Sequence, residues 1–463
     1  MGNNQEKFDL YRNEYPIFRF KKYNIEQNET EIIFTYSFEI DGLAKFNPSV
    51  KILKKELNVR DINSDDNFKL IVFNIGLIEL ISYWKCTCSP KIIIECGNID
   101  NKQIEWFKKL YFHGLGEFFY VNGISTNIKD FMQINCMSDN NLKYKSINSD
   151  LAGVLIPIGG GKDSCVTMEL LDDVKKKYCI MINPKEVSLE CSKISGFDNR
   201  NTVLIDRKID KELIELNKKG FLNGHTPFSS LLAFVTYAVS YLLDIKYIAL
   251  SNESSANESN VLGEKINHQY SKSYEFENDF RKYCIDYFDK DIEYFSFLRP
   301  LNELQIAGLF SKYKKYHKVF KSCNVGSKQE KWEWCCDCAK CLFVYIILSP
   351  FLYKEELLNI FKEDLYEKTE LLEVFLELAG KANVKPFECV GTFEEVHYAI
   401  SKTITNLKNE KIKLPYLLDY YNQNYQLTYK KNKLIQNYNN DNNIPEELKE
   451  FMERGYNYVS KFD

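Results

Sequence analysis

The sequence predicts an α/β protein built on a mostly parallel, doubly wound sheet with helices on both faces. In the middle of the chain, short apolar runs of strand type alternate with segments whose apolar residues recur at helical spacing. A glycine-rich turn at residues 157–164 joins the first of these runs to the first helix. This alternation is typical of parallel sheets, because neighbouring parallel strands need a long crossover, usually a helix.

Residues 1–148 are predicted to form an N-terminal α+β domain. Apolar and polar residues alternate at 31–38, which indicates a strand with one buried face. The apolar run at 73–84 indicates a buried helix. A polar stretch at residues 138–141 marks the end of this domain.

Residues 149–345 are predicted to form a central domain that includes a cysteine cluster at 323–341. A helix is expected at 165–177, which ends in three lysines suited to a helix C-terminus, and another at 210–219. Thr226-Pro227 is typical of an N-cap followed by a first helical residue. The expected strands are residues 153–156, 179–182, 202–205, 246–250 and 294–298.

Residues 346–463 are predicted to be a helical C-terminal region. Helical periodicity is clear at 355–379. The remainder is charged and rich in asparagine and tyrosine, and no repeat period is evident in it.

Composition sets the outer limits on function. The 463 residues suffice for two or three domains, and a 44% hydrophobic content supports real cores. The net charge of −4 and the pI near 6.0 give no electrostatic reason to expect a nucleic-acid partner. Residues 1–6 lack the apolar core of a signal peptide, and the apolar runs at 231–245 and 341–353 are too short to span a bilayer. Fourteen cysteines without an export signal predict reduced thiols or metal ligands, so we expect a cytoplasmic protein without a membrane partner.

The glycine-rich turn predicts an anion-binding loop, with an ordinary strand-to-helix connection as the alternative. Residues 157–164 read Pro-Ile-Gly-Gly-Gly-Lys-Asp-Ser. Glycines let the backbone approach phosphate oxygens, while free N–H groups and the helix dipole attract negative charge. Asp163 stands where a Walker loop has Ser or Thr, and Ser164 stands where a dinucleotide fingerprint has glycine, so neither common motif fits. The predicted binding residues are Gly159, Gly160, Gly161, Lys162, Asp163 and Ser164.

Polar residues follow several predicted strands at their carboxyl ends, where open parallel sheets bind ligands. Glu253 follows the strand at 246–250 and is a candidate Mg²⁺ ligand, with a helix cap as the alternative role. Residues 267–273 concentrate hydrogen-bonding groups, as a solvated loop also would. Arg299 follows the strand at 294–298 and offers a cation to a carboxylate or a phosphate.

Four cysteines predict a metal site. Cys335, Cys338 and Cys341 keep a C-x₂-C-x₂-C spacing, and Cys323 lies upstream across a polar loop. Four thiolates suit tetrahedral zinc without an open coordination position, which predicts a structural ion. An iron–sulfur cluster and a site without metal are the alternatives. Cys336 interrupts the pattern and is interpreted as a bystander.

The glycine-rich loop resembles the pyrophosphate loop, Ser-Gly-Gly-Lys-Asp-Ser, of the ATP pyrophosphatase superfamily. Gly159 replaces the first serine of that motif, so one hydroxyl contact is missing or supplied elsewhere. The resemblance implies a sheet of the adenine nucleotide α-hydrolase type and a reaction that splits ATP between its α and β phosphates. A cysteine cluster similar to that at 323–341 occurs in 7-cyano-7-deazaguanine synthase, which adenylates a carboxylate.

A closer resemblance runs through widely separated blocks of the chain. The sequence resembles the UDP-N-acetyl-α-D-muramoyl-L-alanyl-L-glutamate epimerases, a family of ATP-dependent enzymes of bacterial cell-wall synthesis. Residues 1–100 and the tail after residue 400 match weakly. The matching blocks are residues 113–118, 158–164, 223–227, 251–253, 267–272, 298–301, 322–324, 334–341 and 385–391.

The resemblance implies that ATP activates the α-carboxylate of the terminal L-glutamate as an acyl-adenylate. Activation eases loss of the α-proton, and a proton returned to the opposite face gives D-glutamate before water releases AMP. In this scheme residues 159–162 and Ser164 bind the phosphates, while Asp163 and Glu253 hold Mg²⁺. The expected cofactors are therefore ATP, Mg²⁺ and a structural Zn²⁺, and the expected partner is a small nucleotide-sugar dipeptide. The sequence predicts no oligomeric state.

Inversion at carbon needs proton-handling groups on both faces of the substrate. The matching blocks contain four candidates, of which His268 comes first because imidazole titrates near neutral pH. A hydrogen-bonded structural histidine is the alternative role at that position, and Cys389 requires a lowered thiol pKa to act. The four candidates are His268, Lys272, His225 and Cys389.

Two other classes of function stay open. One is another adenylating enzyme of the same superfamily, acting on a base, a nucleoside carboxylate or tRNA. A tRNA thiolase needs a basic face, which the acidic pI disfavours. The other class is a zinc-containing binding module without catalysis, which the intact Gly-Gly-Gly-Lys-Asp-Ser loop disfavours. ATP-dependent diphosphate release separates the two classes.

Overall fold

The fold is that of a computed structural model of the chain. The two predicted acid/base candidates His268 and Cys389 lie outside the residues that the structure describes. The described residues are 3–140, 142–146, 150–257, 270–328, 332–382, 385–386, 388, 390–427 and 434–462.

The N-terminal part of the chain alternates long strands with buried helices. The predicted strand at 31–38 and the predicted buried helix at 73–84 both fall within such elements. The helix begins earlier than predicted and breaks at Leu80. The elements are α1 (Gln5–Glu14), β1 (Ile17–Gln27), β2 (Glu31–Ile40), β3 (Ala44–Phe46), β4 (Ser49–Leu53), α2 (Asp66–Glu79), α3 (Ile81–Trp84), β5 (Lys91–Ile94), α4 (Asn101–Gly114), α5 (Gly116–Asn122) and β6 (Gln133–Cys136).

The central part has the predicted alternation of strands and helices. Its strands are short and almost wholly buried, which is typical of parallel strands covered on both faces. The elements are β7 (Val154–Pro157), α6 (Lys162–Leu170), β8 (Lys177–Ile182), α7 (Glu186–Ile194), β9 (Thr202–Lys208), α8 (Lys211–Lys218), α9 (Phe228–Leu243), β10 (Tyr247–Leu250), α10 (Tyr274–Tyr287), β11 (Glu293–Ser296), α11 (Glu303–Lys312) and α12 (Ala339–Leu348).

The C-terminal part is helical where it is described. The helix predicted at 355–379 is divided into α13 and α14, with two 3₁₀ turns between them. The elements are α13 (Lys354–Phe361), α14 (Leu372–Leu378), α15 (Phe393–Asn409), α16 (Tyr416–Asn424) and α17 (Glu446–Val459).

Two predicted boundaries in the central part were wrong. The helix after the glycine-rich turn ends at Leu170 rather than at residue 177. Lys177 instead begins β8 and pairs with Val154 of β7, so the sheet takes the residues that the prediction gave to a helix C-terminus. Pro227 occupies the N-cap position of α9, and Phe228 is the first helical residue.

The described strands form one sheet of eleven strands in the order β11-β10-β7-β8-β9-β4-β2-β1-β5-β6, with β3 beside β2. The strands β11, β10, β7, β8 and β9 are parallel to their neighbours in this order. The pairs β9–β4, β4–β2 and β2–β1 are antiparallel. The pairs β1–β5 and β5–β6 are again parallel. The sheet is therefore mixed with parallel pairs in the majority, and the predicted α/β class is confirmed. Because β4 pairs directly with β9, the sheet continues across residue 148, and the three-domain division stays a prediction.

Helices cover both faces of this sheet, and each face has its own hydrophobic core. Successive residues of β7 point to opposite sides: Leu155 belongs to one core, and Val154 and Ile156 belong to the other. The first core packs the sheet against α2, α4, α9 and α10. The second packs it against α6, α11, α12 and the C-terminal helices. The carboxyl ends of β7, β8 and β10 open between these two layers.

The helices were also compared with the requirements of a membrane span. Among the residues that the structure describes, none of the helices is both long and apolar enough to cross a bilayer.

Candidate active site

The glycine-rich turn leads from β7 into α6 with a backbone that only glycine suits. Gly160 has a φ of +91°, and a Cβ there would lie 2.8 Å from Val187 Cγ1 of α7. Gly161 is the N-cap residue of α6, and no side chain caps that helix end. Among the described residues, no side-chain hydrogen bond to the first N–H groups of α6 is seen, and free N–H groups of this kind are what an anion-binding helix N-terminus requires.

A cavity of about 270 Å³ lies in front of this turn, at the carboxyl ends of β7, β8 and β10. One wall is apolar and comes from β8 and the first turns of α9 (Ile180, Ile182, Phe228 and Leu232). The other wall is polar. It consists of Gly159, Gly161, Asp163, Ser164, Ser229, Ser251, Asn252 and Lys272. The fold thus brings the glycine-rich turn, the exit of β10 and Lys272 to one cleft, as a ligand site of an open parallel sheet requires.

Lys162 does not line this cavity. Its side chain is 3% exposed and forms ion pairs with Asp163 and with Glu303, whose side chain is also 3% exposed. Burial alone would lower the pKa of Lys162, but the two carboxylates outweigh it and raise that pKa. The lysine is therefore a buried cation held beneath the turn.

Buried carboxylates gather around Lys162 from distant parts of the chain. Burial raises the pKa of Glu303 to about 7, with Asp163 and Glu253 adding to the shift and Lys162 opposing it. Burial and Asp163 likewise raise the pKa of Glu253. The Glu303 N–H donates to Glu395 Oε1 at 2.7 Å, so the N-termini of α11 and α15 meet here. Sequence reasoning missed Glu303 and Glu395.

A sequence signal for these two glutamates does exist. Thr392 and Glu395 form a capping box at the start of α15, and Asn302 and Gln305 form one at the start of α11. Both boxes can be read from the sequence as helix starts. Neither reveals that the helix starts converge beside the glycine-rich turn, because that depends on the tertiary fold.

Of the two predicted partners of Arg299, the structure shows a carboxylate, that of Glu277. Arg299 is fully buried and absent from the cavity wall. Its guanidinium donates to the backbone oxygens of Glu253 at 2.7 Å and Lys272 at 2.6 Å, and pairs with Glu277 at 3.2 Å. In this geometry Arg299 fixes two polar segments beside the cleft, and its contact with a phosphate stays a prediction.

Two of the four predicted acid/base residues fall within the described structure. Lys272 ends a 3₁₀ turn (Tyr270–Lys272) and lines the cavity. His225 Nδ1 lies 3.5 Å from Glu117 Oε2. His225 precedes α9, whose first residues Phe228 and Ser229 line the cavity.

The segment that carries His225 is fixed to the N-terminal helices. Lys85 Nζ donates to the Gly224 oxygen at 2.7 Å, and Asn122 Nδ2 donates to the Asn223 oxygen at 3.1 Å. A Cβ on Gly114 would lie 2.6 Å from Pro227 Cγ, so α4 and this segment are in close contact. These contacts place His225 beside Glu117 at the N-terminus of α5.

The four predicted metal-ligating cysteines converge. The sulfurs of Cys323, Cys335, Cys338 and Cys341 all lie within 4.8 Å of one another. The Cys323–Cys338 separation is 3.8 Å and the Cys335–Cys341 separation is 3.7 Å. Tetrahedral zinc with Zn–S bonds of about 2.3 Å requires sulfurs about 3.8 Å apart, so the four residues can hold zinc.

The neighbouring Cys336 is directed away from this cluster. Its thiol donates to the backbone oxygen of Phe361 at 3.1 Å, and burial raises its pKa to about 12. A neutral, hydrogen-bonded thiol is a poor metal ligand, because thiolates bind metal ions. This placement agrees with the interpretation of Cys336 as a bystander.

Fold and site together define an α/β protein with a partly polar cleft at the carboxyl ends of its parallel strands and a cluster of four cysteines. Comparisons with known proteins identify the family within this class. Residues 10–297 match the MurL N-terminal domain and residues 319–431 match the MurL C-terminal domain. The chain is 32% identical to the UDP-N-acetyl-α-D-muramoyl-L-alanyl-L-glutamate epimerase of Xanthomonas oryzae pv. oryzae, over 71% of this chain and 73% of that protein. The epimerase of Salinispora tropica is 31% identical (83% and 84% covered), and that of a Micromonospora species is 30% identical (83% and 86%). The chain therefore belongs to the UDP-N-acetyl-α-D-muramoyl-L-alanyl-L-glutamate epimerase family, and the resemblance seen in the sequence is confirmed.

Proposed function

We propose that the protein epimerises the terminal L-glutamate of UDP-N-acetylmuramoyl-L-alanyl-L-glutamate to D-glutamate, in an ATP-dependent step of peptidoglycan precursor synthesis. The observation that carries the proposal is the uncapped N-terminus of α6 behind the glycine-rich turn, open to a cavity with Lys272 on its wall. Family membership supports the epimerase activity. The protein is then an isomerase that uses ATP to activate its substrate.

Activation solves the central chemical difficulty of this reaction. A free α-carboxylate resists loss of the α-proton, because the carbanion would carry a second negative charge beside the first. In the proposed route the carboxylate attacks the α-phosphorus of ATP and releases diphosphate. The resulting acyl-adenylate has lost that charge, and its acyl oxygen accepts the electrons when the α-proton leaves. Reprotonation on the other face and hydrolysis then give the D-epimer and AMP.

The cleft residues divide this work by position. The N–H groups at the start of α6 and the Ser164 hydroxyl face the triphosphate, and the apolar wall of Ile180, Ile182 and Leu232 receives the adenine. We assign the sheet to the pyrophosphate-loop type on the same grounds. Asp163 on the cavity wall and Glu253 beside it offer the oxygen ligands for Mg²⁺, which would neutralise phosphate charge when bound.

The proton-handling groups are proposed from the described residues. His225 with Glu117 forms an imidazole–carboxylate pair, an arrangement that orients a histidine for general acid–base work. Lys272 on the cavity wall is the second candidate. His268 and Cys389 stay predictions from the sequence.

The location of the reaction is proposed from the thiols and the substrates. Four cysteines grouped as a metal site favour a reducing compartment, where thiols stay free to bind metal. ATP and nucleotide-linked sugars are consumed in the cytoplasm, so we place the enzyme there.

A deuterium incorporation assay tests the proposal. Purified protein with ATP, Mg²⁺ and the L-glutamyl substrate in D₂O is expected to form AMP and diphosphate and to place deuterium at the glutamate α-carbon. Mass spectrometry of the dipeptide and chiral analysis of the released glutamate measure both outcomes. AMP formation without label at that carbon would contradict epimerisation while keeping adenylation.

A further inference from the structure

The segment just before the first metal-ligating cysteine lies directly on the glycine-rich turn. The Lys321 N–H donates to the Gly160 oxygen at 3.0 Å. A Cβ on Gly161 would lie 3.6 Å from Ser322 Cβ and 4.0 Å from the Lys321 oxygen, which is van der Waals contact. Residues 321 and 322 therefore contact the turn directly, and neither is among the residues that line the cavity.

The same turn also contacts α7. A Cβ on Gly160 would lie 2.8 Å from Val187 Cγ1 and 3.1 Å from the Ser188 nitrogen, so the turn and the helix are in close contact. The Cys191 thiol also reaches the Gly160 oxygen at 3.8 Å. The shape of the turn is thus set by two packed neighbours, of which α7 is a helix and the other is an irregular segment.

That irregular segment is held on both sides, by the buried Phe320 packed on Phe310 of α11 with ring centroids 4.4 Å apart and by the cysteine cluster at Cys323. Cys323 follows Ser322 directly, and its sulfur accepts a hydrogen bond from the Gly326 N–H at 3.1 Å. The segment that carries the other three cysteines contacts the same residues. Trp334, next to Cys335, packs on Phe320 with ring centroids 5.4 Å apart. An ion bound by Cys323 and by the cysteines at 335–341 would therefore fix residues 320–323 against the second segment.

We propose that the four-cysteine metal centre is a brace for the glycine-rich turn, with Lys321 and Ser322 as the positioning residues through which it acts. A thiophilic divalent ion such as Zn²⁺ fixes Cys323, and the two preceding residues transmit that position to the Gly160 oxygen and to Gly161. In this proposal the metal ion at the four cysteines supports nucleotide binding as well as the fold. This inference rests on the proposed function of the turn as the triphosphate site.

Metal removal with two direct readouts tests the brace. Protein is freed of metal with EDTA, the chelator is removed, and one portion is reloaded with Zn²⁺. Hydrogen–deuterium exchange in peptides covering residues 158–164 is expected to be about tenfold faster without metal and to recover on reloading. The dissociation constant of α,β-methylene ATP with Mg²⁺, measured by calorimetry, is expected to rise about tenfold. Unchanged exchange and affinity in folded, metal-free protein would overturn the proposal.

Paired variants at one position separate the contact from the metal. Lys321→Pro removes the backbone N–H that donates to the Gly160 oxygen. Lys321→Ala keeps this N–H and removes only the side chain. The proline variant is expected to retain about one metal ion per chain and still show the faster exchange and weaker binding. If the metal-loaded proline variant bound α,β-methylene ATP as tightly as the alanine variant does, the proposal would be overturned. Cys336→Ser is the control beside the cysteine cluster and is expected to keep the metal content, exchange rate and affinity of the wild type, because the Cys336 thiol donates to the Phe361 oxygen and is not in the cluster.

The same data distinguish this inference from the proposed function. If α,β-methylene ATP gives no protection of residues 158–164 in the metal-loaded wild type, the triphosphate assignment fails. In that case the brace is still tested, because hydrogen–deuterium exchange in residues 158–164 is compared with and without metal. If the analogue protects the turn equally with and without metal, the triphosphate assignment stands and the brace fails.

Discussion

The two sides of the glycine-rich turn differ in what they present and in where their residues come from. Toward the cavity the turn offers backbone, the Ser164 hydroxyl and the Asp163 carboxylate, all supplied by one short stretch of sequence. Toward the interior, Lys162 is paired with Glu303, which in turn bonds to Glu395. The open side lines the cavity in which we propose that the nucleotide binds, and the buried side is a charge network assembled by the tertiary fold. The comparison teaches that the motif lysine belongs to the second side in this structure.

Breaking the buried side has the largest expected effect. Lys162→Met removes the cation between Asp163 and Glu303 and leaves a buried carboxylate without its partner. Loss of one member of a buried pair typically costs roughly 3–5 kcal/mol of unfolding free energy. We expect a loss of this size in urea denaturation, together with loss of diphosphate release.

A double variant separates the two effects of that change. Lys162→Met with Glu303→Gln removes both charges, so most of the stability is expected to return while diphosphate release does not. Stability without turnover would show that the Lys162–Glu303 pair serves the reaction as well as the fold. Normal turnover in either variant would contradict the placement of the active site at this turn.

The sequence was informative where the residues that act together are close in the chain. The glycine-rich turn, the strands beside it and the three closely spaced cysteines could all be predicted, because spacing and periodicity are local properties. Glu303 and Glu395 could not be predicted as members of the site, since Glu303 lies 141 residues from Lys162 and Glu395 lies a further 92 residues along the chain. Their capping boxes mark helix starts but carry no information on what the helices approach.

Arg299 shows a second limit of sequence reasoning. A cation directly after a strand is equally suited to bind a ligand and to clamp neighbouring backbone, and only the fold decides between the two. Here the backbone oxygens of Glu253 and Lys272 and the Glu277 carboxylate take up the guanidinium. The sheet order had the same limit, because the pairing of β4 with β9 joins residues far apart in sequence.

The pH dependence of the unfolding free energy tests the buried side of the turn, with an expected effect of intermediate size. Burial raises the pKa of Glu303 from 4.5 to about 7, so the native state binds this proton more tightly than the unfolded state. The stabilising contribution is complete below pH 4.5 and is lost as the pH rises through about 7. The expected loss across this window is up to about 3 kcal/mol.

Urea denaturation at several pH values measures this contribution. The wild type is expected to lose unfolding free energy between pH 4.5 and pH 7, and Glu303→Gln is expected to flatten that part of the curve. Glu356→Gln is a suitable control, because Glu356 pairs with the exposed Lys314 and its pKa is lowered rather than raised. Identical pH profiles for the wild type and Glu303→Gln would contradict the buried, proton-binding state of Glu303.

The smallest expected effect lies on the open side, at the position where the turn lacks the serine of the ATP pyrophosphatase motif. A Cβ at Gly159 meets no atom within 4 Å, and the backbone there is not in the left-handed region. Gly159→Ser is therefore expected to change the unfolding free energy by less than about 0.5 kcal/mol and to keep or modestly strengthen binding of α,β-methylene ATP.

Gly160→Ser is the matched contrast. Its φ of +91° and the 2.8 Å approach to Val187 predict a loss of at least about 1 kcal/mol and a distorted turn. Calorimetry and urea denaturation of the two serine variants compare the open and packed positions one residue apart. Equal losses in both variants would mean that Gly159, too, packs against protein and does not face the nucleotide. The contact with an incoming phosphate would then have to come from α6 and Ser164 alone.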